Sequence, residues 1–152
     1  MLNKLVSVVM AVGGVDKFTM PAVSSILNQS YLNLELIILL NGPDSDSYKN
    51  ELEFNIDDDR VRIYSLSLRG LTNALNYGIS NAKGEYVARM DADDISSLDR
   101  IFKQVDFLNN NERVGVVGCR VKLIDELGNI LPDKFFYFEN YTSIKKILPI
   151  YN

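Results

Sequence analysis

The sequence predicts an α/β fold: a mostly parallel sheet with helices on both faces. Three observations predict it. Strand-like and helix-like segments alternate along most of the chain, the pattern of βαβ units. The clearest strand-like segment, LELIILL over residues 34–40, is an almost continuous apolar run, as expected of a strand buried on both faces. Polar or glycine-rich breaks follow three of the strands, at residues 11–14, 41–44 and 91–94. Open α/β sheets bind ligands beyond such carboxyl ends.

Each element has its own local reasons. Residues 5–12 form the first strand: Val6, Val8 and Val9 are β-branched, and Gly13-Gly14 supply the turn. Lys4 ahead of a short apolar run also gives this stretch the outline of a signal peptide, but its β-branched content and glycine turn favour the strand. Residues 18–29 form a helix with Thr19 as N-cap, Pro21 in the first turn, and Ala22, Val23, Ile26 and Leu27 at helical spacing. Residues 34–40 form a buried parallel strand around Glu35, which Asn41-Gly42-Pro43-Asp44 breaks. Residues 47–54 form a weak helix, Asp57 to Asp59 an acidic loop, and residues 61–66 a strand. Residues 71–82 form a helix with Leu71, Ala74, Leu75 and Ile79 on one face, ended by Lys83-Gly84. Residues 85–90 form a fourth strand that runs into Asp91-Ala92-Asp93-Asp94. Residues 98–110 form a helix in which Ser96 and Asp99 resemble a capping box. Residues 114–119 read as a fifth strand, residues 121–131 as a hairpin or short edge element around Leu127-Gly128-Asn129, and residues 142–148 as helical.

Composition narrows the chemistry. The 152 residues are the size of one ordinary domain, long enough for a sizeable core. There is no histidine, which excludes Ser-His and Cys-His catalytic pairs and an HExxH zinc helix. The single Cys119 has no internal disulfide partner, which fits a reducing compartment. A net charge of −4 argues against a general nucleic-acid binder. The longest apolar stretches are about half of the roughly 20 residues that span a bilayer, so no transmembrane segment is expected. Carboxylates remain for chemistry, and they suit hard cations such as magnesium or manganese.

Asp91 and Asp93 are the candidates. Alternation at a strand end would place both on one face, where a cation between them relieves their repulsion. The plainer reading is an acidic turn in which Asp94 and Ser96 start the next helix. From the residues alone, both readings stand. Asp57 to Asp59 precede a strand, at the opposite edge of the sheet, and read as a solvated loop. Gly13-Gly14 lack GxGxxG spacing and no GxxxxGK[ST] is present, which argues against dinucleotide dehydrogenases and P-loop NTPases. Arg69-Gly70 stand at a loop-to-helix junction, where a helix N-terminus and a cation favour phosphate; a surface arginine before a helix is the alternative.

The succession SVVMAVGG, SILNQSY, LELIILLNG, RGLTNALNYGI, AKGEYVARMDADDIS, DRIFKQVDFL and VGVVG resembles the family 2 glycosyltransferases, in the branch that builds bacterial capsule and lipopolysaccharide sugars. ALNYGISNAKGEYVARMDADD carries most of the specificity, and the resemblance runs from residue 5 to about residue 131. It implies the Rossmann-like GT-A fold and inverting transfer of a sugar from a nucleotide-diphosphate donor, most often a UDP-sugar. By position, it implies that Ala11 and Val12 line the nucleotide pocket and that Asn41 faces the base. Arg69, Gly70 and Asn73 would border base and phosphates, and Asp91, Ala92 and Asp93 would form the DxD motif. Asp91 would approach the ribose and the metal, and Asp93 would be the main ligand of a Mn2+ or Mg2+ ion that neutralises the departing diphosphate. The implied setting is the cytoplasm, free or at the inner face of the membrane, with a glycan or lipid-linked acceptor.

This sequence departs from the family pattern in four places. Gly13 and Gly14 replace an aromatic and a polar residue, leaving that loop barer. Leu40 and Asn41 replace two aspartates, so that Asn41 alone offers a donor and an acceptor to a base. Leu98 replaces a frequent proline. The acceptor-binding half, which carries the general base, is expected beyond residue 152, so no catalytic residue is assigned. The chain is then a single donor-binding domain cut before that half, and an uncovered apolar patch would favour self-association. A module that keeps the fold and binds without transfer is the alternative. A metal-dependent phosphohydrolase is a third reading, weakened by Ala11 at the place of its nucleophile.

Overall fold

A four-stranded, all-parallel sheet in the order β3-β2-β1-β4 organises the chain. The computed structural model describes residues 3–67, 69–132 and 142–145. The elements are β1 (Val6–Val12), α1 (Thr19–Leu27), β2 (Leu34–Leu40), α2 (Ser45–Asn55), β3 (Val61–Ser65), α3 (Leu71–Ser80), β4 (Tyr86–Asp91) and α4 (Arg100–Asn110). Each lies within a few residues of its expected position.

The central strands have no polar face, and the register explains why. β1 runs beside β2 from Val6 opposite Leu34 to Val12 opposite Leu40, and beside β4 from Val6 opposite Tyr86 to Ala11 opposite Asp91. Val6, Val8, Met10 and Val12 point to one side with Leu36, Ile38 and Leu40, under Ala22, Val23 and Ile26 of α1, Leu52 of α2, and Ile101 and Val105 of α4. Val9, Ile37 and Leu39 point to the other side, under Ala74 of α3. Helices therefore cover both faces. α3 approaches so closely that a Cβ on Gly78 would lie 2.5 Å from Val9 Cγ1 and 2.6 Å from Leu39 Cδ1.

Under α3, one polar group sits among these apolar residues. Glu35 accepts hydrogen bonds from Ser7 Oγ (2.5 Å) and the Lys83 amide (2.8 Å), and pairs with Arg62 (2.5 Å). Ser7 Oγ accepts the Gly84 amide at 2.8 Å, and a Cβ on Gly84 would lie 2.6 Å from Ser7 N. The turn between α3 and β4 is thus fixed to the amino ends of β1 and β2. Burial works to raise the Glu35 pKa, but the hydrogen bonds from Ser7, Lys83 and Arg62 outweigh it and hold the carboxyl below its ordinary 4.5.

Three local expectations are corrected. Thr19 opens α1 but does not cap it. Asp16 Oδ1 accepts the amides of Phe18 and Thr19, and Thr19 Oγ1 accepts the Asp16 amide, so the reciprocal box is Asp16–Thr19. Ser96 and Asp99 form no capping box, and Asp99 makes no side-chain cap bond. The cap comes from elsewhere in the chain: Gln29 Oε1 accepts the Ile101 amide at 3.0 Å. Residues 114–119 are not a strand. Valine content alone does not form a ladder, and this run has no paired neighbour among the described residues.

The chain divides into two compact units, Met1–Val117 and Gly118–Asn152. The second contains the expected hairpin in minimal form: Ile124 bridges Ile130 antiparallel, and Asp125 Oδ1 accepts the amides of Leu127 and Asn129. Of the expected helix at 142–148, residues 142–145 are helical and the remainder lies outside the described residues.

Candidate functional site

The carboxyl ends of the strands bring the candidate residues together in a defined order. Ala11 lies between Leu39 of β2 and Asp91 of β4. Val12 is paired with Leu40, and the Asn41 amide extends this pairing by donating to Val12 O at 3.1 Å. The two following loops touch: the Gly13 carbonyl occupies the place where any side chain on Gly42 would begin. The glycine loop therefore has no side chain at Gly13, but its backbone is packed against Gly42.

Asp91 belongs to the α3 side of the sheet, because its neighbours Ala11 and Leu39 do. α3 begins on that side. Arg69 is exposed, and Gly70 takes φ 109° and ψ 139°, a conformation that suits glycine and forces the chain into the helix. Asn73 Nδ2 donates to Arg69 O at 2.9 Å and steadies the junction. No hydrogen bond among the described residues joins Arg69, Gly70 or Asn73 to the aspartates. What they share with Asp91 is one face and one end of the sheet.

The acidic motif is a turn. β4 stops at Asp91, and the Asp94 amide donates to Asp91 O at 3.4 Å across Ala92 and Asp93. Strand alternation does not extend to Asp93, which corrects the expected reason for grouping the two carboxylates. Ala92 packs toward the larger core, and Asp93 is exposed. The Asp94 carboxyl is pushed above its ordinary 3.8, first by desolvation and then by the charges of Asp93 and Asp91, so the three acids share a local field.

Residues that the sequence reading passed over shape this turn. Arg89 donates to both Asp91 oxygens, from Nε at 3.0 Å and from Nη2 at 2.8 and 3.1 Å. Arg100 donates to the Arg89 carbonyl and to Ser96 Oγ. Buried Gln29 donates to Ser96 Oγ and Ser97 O, and thereby ties α1 to the segment after the motif. Arg89 was legible as the residue two before Asp91 on a strand, and therefore its neighbour on the same face. Gln29 gave no signal, because its partners lie some 70 positions away.

Whether a divalent cation fits depends on the donors. Among the described residues no three acidic, histidine or cysteine side chains surround one point. Asp91 and Asp93 supply hard oxygen donors in a negative field and leave most positions to other oxygens. That donor set suits magnesium or manganese shared with phosphate oxygens. Asp57 to Asp59 stand apart from the other candidate residues, at the amino end of β3, where Asp58 is engaged by Arg60 at 2.7 Å in a more buried pair than Arg89–Asp91 and accepts its amide.

The pattern of Glycosyl transferase family 2 matches residues 7–151. The chain belongs to this family. It is 39% identical over 149 residues to the O-antigen biosynthesis glycosyltransferase WbnJ of Escherichia coli, covering 97% of this chain and 58% of the relative. It is 34% identical over 125 residues to the putative glycosyltransferase EpsE of Bacillus subtilis, covering 81% and 45%. The chain thus spans about half the length of these relatives. Among solved structures, the fold matches the mannosyltransferase PcManGT from Pyrobaculum calidifontis, solved with GDP-Man and Mn2+, at a TM-score of 0.61 and 22% identity over 69% of this chain and 32% of that one. It also matches S. aureus TarS 1-349, solved with UDP, at a TM-score of 0.59 and 15% identity over 70% and 32%. The fold of this family 2 glycosyltransferase chain is the expected Rossmann-like GT-A arrangement. No described helix is long and apolar enough to cross a membrane.

Proposed function

We propose that this chain is the donor-binding domain of an inverting glycosyltransferase in cell-surface polysaccharide synthesis. Its ligand is a nucleoside-diphosphate sugar bound with Mn2+ or Mg2+. The observation that carries this reading is the placement of Asp91 beside Ala11 on the α3 side of the sheet, at the end where α3 begins. Ala11 forms the floor together with the backbone of Val12, whose side chain is buried on the other face, and Asn41 meets the base. Arg69, Gly70 and Asn73 border the phosphates at the amino end of α3, whose N–H groups favour anions. Asp91 and Asp93 hold the metal across Ala92, with Asp93 the principal ligand. The metal, when bound, neutralises the diphosphate as it leaves. The PcManGT structure, with GDP-Man and Mn2+, and the TarS structure, with UDP, support this class of ligand.

The acceptor, a glycan or lipid-linked sugar, and the general base belong to a further part of a longer protein. The chain acts in the cytoplasm, free or at the inner membrane face. Calorimetric titration of UDP and GDP, with and without Mn2+, tests the reading. Metal-dependent binding by the wild type and at least tenfold weaker binding by Asp93→Ala are expected; equal binding by both proteins removes the metal role.

One observation favours a binding module without transfer. Leu40 is wholly buried in the larger core, so base recognition at this strand end rests on Asn41 alone. A longer protein with the same site that binds the donor but neither hydrolyses nor transfers its sugar would decide for that module.

A further inference from the structure

Arg89 occupies the carboxylate that the donor-site reading gives to the metal, and the inference drawn from this rests on that reading. Its guanidinium covers both oxygens of Asp91 from one position away on the same strand face. A carboxylate held in such a fork has little to offer a second cation, and a guanidinium and a divalent ion repel at that separation. The pair is nevertheless exchangeable. Its side chains are 56% and 45% exposed, and exposed ion pairs are weak. The Arg89 backbone is fixed meanwhile, since its carbonyl accepts from Arg100 Nη1 at 3.2 Å. The guanidinium is therefore free to turn while β4 and Asp91 stay in place. A diphosphate is the better partner for it, because its oxygens match the fork and bring more charge than one carboxylate.

We propose that Arg89 makes the cation and the nucleoside diphosphate bind as a pair. It holds Asp91 until a diphosphate draws the guanidinium away, and Asp91 then turns to the metal. Arg89 is thus a positioning residue for the metal site and a direct contact for the phosphates.

Two titrations of the same proteins test this. MnCl2 added to protein alone is expected to bind Arg89→Gln about fivefold more tightly than wild type. UDP or GDP added in EDTA is expected to bind Arg89→Gln at least fivefold more weakly. Arg89→Lys, which keeps the charge but not the fork, should fall between them. An Arg89→Gln protein that matches wild type in either titration overturns the inference. Asp93→Ala separates the two levels: if, with UDP present, it binds Mn2+ as wild type does, the donor-site reading itself falls. If it loses Mn2+ while Arg89→Gln changes nothing, only the role of Arg89 falls.

Discussion

Gly70 and Glu35 show how single residues fix the two ends of the sheet. Gly70 holds a backbone conformation that side chains rarely adopt, at the point where the chain turns into α3. Open space surrounds it, with Asn73 Nδ2 nearest at 3.8 Å, so Gly70→Ala is a test of backbone strain rather than of collision. A loss of about 1–2 kcal/mol is expected in urea unfolding, together with weaker nucleotide binding. Glu35 governs the other end of the sheet. Its carboxyl is held below the ordinary 4.5 in the folded chain, so it contributes stability above that value and loses it as the pH falls through the depressed folded pKa. Urea midpoints of wild type should therefore fall more steeply than those of Glu35→Gln below about pH 5. Parallel curves would contradict the assignment. Little of this was visible in the sequence. A glutamate inside an apolar strand was noticeable, but its partners Ser7, Arg62 and Lys83 come from three other parts of the chain.

At the scale of elements, α3 packs against the sheet and begins beside the candidate site. Its face against Val9 and Leu39 leaves no room at Gly78. Alanine there would improve helix propensity by up to about 1 kcal/mol, yet the overlap should dominate and destabilise by roughly 1–3 kcal/mol. Urea unfolding of Gly78→Ala checks the sign. α4 depends on a cap from outside itself. Gln29→Ala removes the acceptor for the Ile101 amide and the donors to Ser96 and Ser97, and should cost about 2 kcal/mol. The existence and order of α1, α3 and α4 were legible from apolar residues at helical spacing, whereas α2, with Leu52 as its one buried apolar residue, read only as a weak helix. Their caps were misread: Asp16 and not Thr19 accepts the first amides of α1, and Gln29 and not a local Ser or Asp supplies the bond to α4. The acidic motif was expected as a strand end, with a turn as the plainer alternative, and the structure shows the turn. Strand alternation stops at Asp91, and the sequence has no separate signal for that stop.

At the scale of the whole molecule, the parallel sheet follows from apolar runs that only burial on both faces accommodates. Residues 114–119 are also valine-rich, but they carry Gly115 and Gly118 and have no paired neighbour among the described residues, so valine content overstated them. The central claim is that the α3 side of the carboxyl edge, from β1 through β4, is one nucleoside-diphosphate and metal site. The two acidic stretches, Asp91 to Asp94 and Asp57 to Asp59, lie at opposite ends of the strands, and that separation allows a direct test. Amide-resolved nuclear magnetic resonance of the chain with UDP and substoichiometric Mn2+ reports where the paramagnetic ion sits. The account predicts line broadening centred on Asp91 to Asp94, reaching Ala11, Gly13 and Arg69 to Asn73, while Asp57 to Asp59 and Glu35 stay sharp. Broadening centred on Asp57 to Asp59, or none at Asp91 to Asp94 while UDP is bound, would contradict it.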